Sequence, residues 1–479
     1  MTVNDFLSIL PILILVIWAS ALLLVDVFTK HTRLTAILAA AGLVVVFCFA
    51  VAQTGQNYTG FKGMVVVDGF TIFLNGLFLT SGLAGIALAY DYLKRMDLDR
   101  GEYYILLLFS ISGMMLMATA ADLIVVFLAL ELLSIPLYVL AGFARPKADS
   151  EEAALKYFLL GAFAGGFVVY GIALVFGATG TTALADIVAA ISAGTADLSL
   201  MAIGSALILV GFGFKVAVVP FHMWTPDVYQ GAPTSVTAFM AVGAKAAGFA
   251  ALLRVFIAAF PVLNLDLTPI LWTLAALTMI IGNFVAIAQS NIKRMLAYSS
   301  IAHAGYIFMA LVPFGNTTVS ADSVAAALFY LLSYAVTNFG VWSVVIALEK
   351  KEGKGLNLTD FAGLGEKYPI MAAAMAVFML SFTGVPPTLG FVGKFFLFRT
   401  VLEGGYVGLA IIGVLTSLVS AYYYLRILVI MYMQDGEPVI RKEFYLGVTM
   451  ISAALATVAL SIFAVPLFRW ASQAMLFLF

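Results

Sequence analysis

Apolar runs of about twenty residues recur along the whole chain, and each is long enough to cross a bilayer as a helix. About fourteen can be marked, at residues 6–27, 34–52, 66–90, 103–120, 122–143, 153–178, 199–222, 234–259, 268–288, 293–312, 322–348, 369–398, 405–433 and 444–466. Lipid satisfies no backbone hydrogen bond, so spanning segments must be helices or a closed barrel. The strict alternation that a barrel requires is absent. Loops between the runs are short and leave no room for a soluble domain. The expected fold is therefore an all-α polytopic membrane protein, a single membrane domain over residues 1–479.

Only 10% of the residues are charged and 63% are hydrophobic, too few charges to cover a water-facing surface. The net charge of −1 offers no basic excess for nucleic acid. Cys48 is the one cysteine, so neither an internal disulfide nor a cysteine-ligated cluster can form. His31, His222 and His303 are too scattered for a metal site, and no glycine-rich loop links a strand to a helix to bind phosphate. Met1–Leu10 lacks the basic start of a cleaved signal, so the run from Phe6 is expected to be an uncleaved first span.

Lysine and arginine fix the expected orientation, because they gather on the cytoplasmic side of membrane proteins. Loops after odd-numbered spans hold Lys30, Arg33, Lys94, Arg95, Arg100, Arg145, Lys147, Lys293, Arg294, Lys350, Lys351, Lys354, Lys367, Arg441 and Lys442. The other side has Lys62, Arg399 and Arg469, with Arg254 near its edge. Both termini are thus expected to face the periplasm of a bacterial inner membrane.

Two spans carry breaks. The seventh runs through Gly211-Phe212-Gly213-Phe214-Lys215 to Pro220, and the twelfth contains Thr383-Gly384-Val385-Pro386-Pro387. Proline removes a backbone donor and clashes with the preceding turn. Paired interruptions of this kind mark transport sites in duplicated transporters. They suggest two inverted five-helix repeats, helices 4–8 over residues 103–259 and helices 9–13 over residues 268–433, although no close sequence repeat joins the halves.

The ionisable residues left inside the spans are Glu131, Lys156, Lys215, Lys245, His303 and Lys394, with His222 at the inner end of the seventh. A lysine at the bilayer centre costs roughly 2.5–3.5 kcal/mol, so four unpaired ones would cost on the order of 10 kcal/mol. Water, partners or a use must offset that. Nothing cationic lies within two turns of Glu131 on its own helix, which leaves Lys156 and Lys215 as candidate partners. Buried lysines beside carboxylates can take and release protons as neighbouring charges change, and histidine exchanges protons near neutrality. The plainer readings are a static ion pair at Glu131, lysines bound to helix C-termini or lipid phosphate, and histidines that pack or cap. Gly161, Gly165 and Gly166 allow close helix packing.

The stretch GFGFKVAVVPFHMWTPDVYQGAPTSVTAFMAVGAKAA from Gly211 resembles the proton-antiporter-type membrane subunits of respiratory complex I. The resemblance extends over essentially the whole chain, including Glu131 with Pro136 and NIKRMLAYSSIAHAGY from Asn291. Lys394 in place of a glutamate, together with GVPPTLGFVGKFFLF, is most similar to the quinone-proximal member of that family. The resemblance implies a proton relay of Glu131, Lys156, Lys215, Lys245, Lys394, His222 and His303, with Glu131 and Lys215 as acid and base of the first half-channel and Lys394 as the terminal site. It implies no cofactor in this chain; FMN, iron–sulfur clusters and quinone belong to partner subunits. The implied partners are a neighbouring antiporter-like subunit, the small quinone-side subunits and the bilayer. A subunit of an Mrp-type cation/proton antiporter, without redox input, is the alternative. A membrane scaffold whose buried charges only fix helix register is a third.

Overall fold

A computed structural model describes residues 2–259, 264–313 and 319–474. The first helices are α1 (Val3–Thr29), α2 (Thr32–Ala52), α3 (Gly69–Arg95), α4 (Glu102–Thr119), α5 (Leu123–Ala141) and α6 (Ala148–Thr179). A short α7 (Leu184–Ser192) leads to α8 (Leu198–Val216), α9 (Trp224–Gly231), α10 (Thr234–Phe239) and α11 (Lys245–Leu252). The second half holds α12 (Asn264–Ile287), α13 (Ile292–Phe308), α14 (Ser320–Leu348), α15 (Leu364–Lys367), α16 (Pro369–Thr383), α17 (Leu389–Glu403), α18 (Val407–Met433), α19 (Phe444–Ile462) and α20 (Ala464–Gln473).

Among the described residues, 12 helices are long and apolar enough to cross a membrane. The expected tenth span is α13, only 17 residues long. The expected twelfth is divided into α16 and α17, so the fourteen expected spans all have a helical counterpart.

Several boundaries differ from expectation. The run at 66–90 begins in a hairpin, where β1 (Tyr58–Gly60) pairs antiparallel with β2 (Val65–Val67), and α3 starts only after Asp68 caps it. The run at 199–222 stops being helical at Val216, and that at 444–466 stops at Ile462. Helix α7 carries no separate signal in the apolar pattern. Met1 and residues 475–479, on which the orientation of the extreme ends rests, lie outside the described residues.

The breaks have local causes. Ala217 adopts a left-handed conformation (φ 63°), and the Val218 N–H turns back to the Gly213 carbonyl at 2.8 Å. The loosened backbone finds protein partners instead of lipid: Trp224 Nε1 donates to the Phe214 carbonyl, and the Val219 N–H to Thr278 Oγ1. Helix α16 ends the same way at Gly384 (φ 91°), a conformation that glycine adopts without strain. Thr388 then caps α17 by accepting from the Phe391 N–H.

The eighth span departs from α-helix twice. A π-helical turn, Met240–Ala244, separates α10 from α11, and a second occupies Leu253–Ala259. Over Thr234–Ile257 every residue of its apolar window is buried, walled by α3, α4, α8 and α14. The peripheral α1, α2, α6, α18 and α19 instead leave most of their surface uncovered and aliphatic or aromatic, as lipid requires.

Two contacts tie the layers together. A Cβ on Gly113 would meet the Leu133 backbone nitrogen at 2.3 Å, so α4 and α5 pack backbone to backbone. Arg254 forks onto Asp68 with two 3.0 Å hydrogen bonds, and also donates to Thr71 Oγ1 and the Ala118 carbonyl. Of the three glycines expected to pack, Gly161 lies against Tyr138 and Gly165 against the Glu131 carboxylate, whereas Gly166 faces open space.

Candidate functional site: a buried polar axis

Lys215 is in the last turn of α8, just before the first break, and is only 4% exposed. Its Nζ donates to Ser134 Oγ of α5 at 2.7 Å and to the Tyr157 hydroxyl of α6 at 3.1 Å. The Tyr157 ring stacks on Trp224, which fixes the hydroxyl beneath the ammonium. Glu131 lies one turn before Ser134 on α5, half-buried beside α6. It makes no hydrogen bond or ion pair among the described residues, and its charge and that of Lys215 act on each other through space.

Lys245 comes directly after the first π turn and is 3% exposed. The turn adds one residue to the helical repeat and so rotates the helix beyond it. Lys245 Nζ donates to the Ser300 carbonyl at 2.6 Å and also to the Ser300 hydroxyl. The Tyr334 hydroxyl of α14 donates to the same Ser300 Oγ at 2.9 Å.

One turn further along α13, His303 is held on both ring nitrogens. Nδ1 pairs with the Tyr330 hydroxyl at 2.7 Å and Nε2 with the Tyr424 hydroxyl at 3.0 Å, which in turn meets Ser299 at 2.5 Å. Tyr423 continues the network to Asn283, and Asn283 to Tyr306.

Lys394, in the second turn of α17, lies 4.8 Å from the centre of the Tyr306 ring. Its Nζ donates to the Phe382 and Thr383 carbonyls, at 2.8 and 3.0 Å, and to Ser417 Oγ at 2.7 Å. It therefore occupies the C-terminus of the half-helix α16, where the helix dipole favours a cation. The binding of a helix end, one plain reading of such a lysine, is what the geometry contains.

The structure thus brings Lys215, Lys245, His303 and Lys394 into one buried interior. Lys156 is not among them. Adjacent helical residues point about 100° apart, and while Tyr157 faces Lys215, Lys156 turns outward to Asp227 and Glu152, both at 2.7 Å. Its contact with Glu131, a possibility open from the sequence, is not formed. His222 lies in the first break, 8% exposed, and its Nδ1 has no hydrogen-bond partner among the described residues.

Asp227 also holds Arg294 at 2.7 Å, so one carboxylate ties α6, α9 and α13 together on the basic-loop side. Partial burial would raise its pKa, but the hydrogen bonds from Lys156 and Arg294 outweigh it and hold the group below its usual range. A lowered folded-state pKa stabilises above the unfolded value, and that gain is lost as pH falls through the folded one. Thermal unfolding of Asp227→Asn should therefore trail the unmodified chain by a constant margin above about pH 5, and the margin should close below about pH 4.

The hydroxyls that complete the axis escape sequence reading. Ser134 lies three residues after Glu131 and Ser300 three before His303, spacings that place each on one helix face with a charge already singled out. Tyr330, Tyr334, Tyr424 and Ser417 lie on other helices, and no local spacing connects them.

Two broken helices flanking a buried polar interior, with lysines as its charged members, define a polytopic membrane protein of the antiporter type. Residues 120–420 match the transmembrane family described as NADH:quinone oxidoreductase/Mrp antiporter, and the chain belongs to that family, within its NADH-quinone oxidoreductase subunit N group. Subunit N of Chloroflexus aggregans is 47% identical over 98% of this chain and 96% of its own length. That of Trichlorobacter lovleyi is 50% identical over 90% and 88%. A chain of respiratory complex I from Thermus thermophilus superposes with a TM-score of 0.84 at 36% identity, covering 96% of this chain and 99% of that one. A chain of the Mrp complex from Dietzia sp. reaches 0.88 at 22% identity, a likeness of fold alone.

Proposed function

We propose that this chain moves protons across the membrane as a subunit of an NADH:quinone oxidoreductase, whose FMN, iron–sulfur clusters and quinone are held by partner subunits. The observation that carries the reading is the row of Lys215, Lys245, His303 and Lys394, each buried and each on hydroxyl or carbonyl partners rather than on a carboxylate. An ammonium without a fixed counter-ion loses its proton readily, while hydroxyls can both donate and accept. The lysines are the stations of the relay and the tyrosines and serines its links.

In this mechanism the arrangement with Lys215 on Ser134 and Tyr157, away from Glu131, is the open one. Closing the Glu131–Lys215 pair holds the proton on Lys215; opening it releases the proton toward Lys245. His303, between Tyr330 and Tyr424, passes it by exchanging which ring nitrogen is protonated, and Lys394 delivers it to the opposite side. His222 lies at the first break, where water reaches the Lys215 end. Residues 103–259 and 268–433 act as two inverted half-channels, each with one broken helix. Both termini face the periplasm, and the basic loops face the cytoplasm of a bacterial inner membrane.

The experiment is a mild-detergent pull-down of the tagged chain, then an NADH:quinone reductase assay and reconstitution of the eluate into vesicles. Co-purified flavin and iron–sulfur absorbance, with NADH-driven acidification, is the expected result. Recovery of small hydrophobic partners alone, with sodium-dependent proton flux and no redox centre, overturns it in favour of an Mrp-type antiporter.

A further inference from the structure

Lys245 of the first half and Ser300 of the second meet where the two halves join, behind α10 and α14, so protons could enter the axis there by a route other than Lys215. On the basic-loop side a cavity of about 570 Å³ opens between the end of α3, the α5–α6 loop and the segment after α14. Arg145, Lys147 and Lys350 are on its wall, and Tyr92 and Glu349 are at its floor.

Glu349 is 4% exposed and oddly served for a buried carboxylate. One oxygen accepts a long 3.4 Å hydrogen bond from the Tyr92 hydroxyl, and the other has no partner among the described residues. A buried polar atom left so costs free energy unless water or a proton occupies it. Behind the floor, Lys293 is 2% exposed with its Nζ on the Ala232 carbonyl at 2.7 Å, within electrostatic reach of Glu349. Thr234 donates its N–H to the Tyr92 hydroxyl while its own Oγ1 has no partner among the described residues. Lys293 and Ser300 are seven residues apart, hence two turns along one face of α13 and about 10 Å. Ser300 is where Lys245 is bound.

We propose that Glu349 is the proton acceptor of a second intake, which draws from this cavity and loads Lys245. The inference rests on the proton-translocation reading above. The Glu349 carboxylate takes a proton from hydronium in the cavity, leaving water. The resulting carboxylic acid passes it through waters beside Lys293 and Thr234 to the Ser300 hydroxyl, which gives up its own proton to the neutral Lys245 amine. The carboxylate and hydroxyl are restored and an ammonium is made.

The test uses the full assembled complex in vesicles. Glu349→Gln keeps shape and hydrogen bonding but carries no proton, and should lower NADH-driven pumping about tenfold, below the roughly hundredfold or more of a proton-transferring group with no substitute, because water can partly replace it. Glu349→Asp should restore most of the rate, which a packing role would not do, since glutamine mimics packing better than aspartate. Lys245→Ala tests the underlying reading. If it stops pumping while Glu349→Gln pumps fully, the intake is overturned and the reading stands; if both pump fully, the reading itself falls. In a Cys48→Ser background, Ala144→Cys on the cavity wall should react with a membrane-impermeant thiol reagent from the basic-loop side and lose pumping. Full pumping by the labelled complex overturns the intake, even if Glu349→Gln fails to assemble.

Discussion

Lys215→Ala in an assembled complex should lower NADH-driven proton translocation by about a hundredfold, the ordinary contribution of a positioned proton-transfer group, with NADH:quinone turnover falling as far as the two are coupled. The substitution removes the ammonium and leaves Ser134 and Tyr157 without the charge they surround. Lys394→Ala should do the same at the other end, where it also strips the cation from the C-terminus of α16. Lys156→Ala should lower pumping far less, by about twofold, because that lysine sits in a part-exposed ion pair and such pairs contribute little. The comparison is read from acidification of vesicles holding equal amounts of assembled complex. Equal loss in all three variants would assign Lys156 a direct place in the relay; full pumping by Lys215→Ala would remove the relay altogether.

The second large effect is on folding. Arg254 is 1% exposed and Asp68 2%, and the guanidinium meets both carboxylate oxygens while bridging α3, α4 and the end of the eighth span. Removing one partner of such a pair costs about 3–5 kcal/mol, because the other charge is left buried and unpaired. Asp68→Asn and Arg254→Met should each sharply reduce detergent-extractable, assembled protein. The pair replaced by two apolar residues should recover part of it. Thermal unfolding of the solubilised chain, monitored by helical circular dichroism, measures the order of these losses.

Much of the architecture is legible in the residues. Apolar length specifies the spans, and Pro220 and the pair Pro386-Pro387 locate both breaks, because a ring without an N–H cannot continue a helix. Lys215, Lys245 and Lys394 stand out by being charged where charge is expensive. The hairpin at 58–67 is hidden inside valines that read equally well as helix. The aim of Lys156 is not legible, since its partner Asp227 lies 71 residues away and only the fold decides which of two adjacent side chains faces inward. The π turn before Lys245 leaves no mark either: Met240–Ala244 consists of small and apolar residues with no proline or polar interruption to announce it. Arg254 reads as an edge charge, though its four hydrogen bonds make it one of the most enclosed side chains in the protein.

The enclosure of the eighth span bears on biogenesis. Emerging from the ribosome, residues 234–257 would meet α3, α4 and α8 already inserted, but α14, which forms another wall, lies more than sixty residues downstream. Until α13 and α14 arrive, Lys245 lacks Ser300 and Tyr334 and would face lipid or the insertion machinery. The half-finished chain is thus a client for chaperoning, and a gene split between the halves would yield two fragments that mature only together.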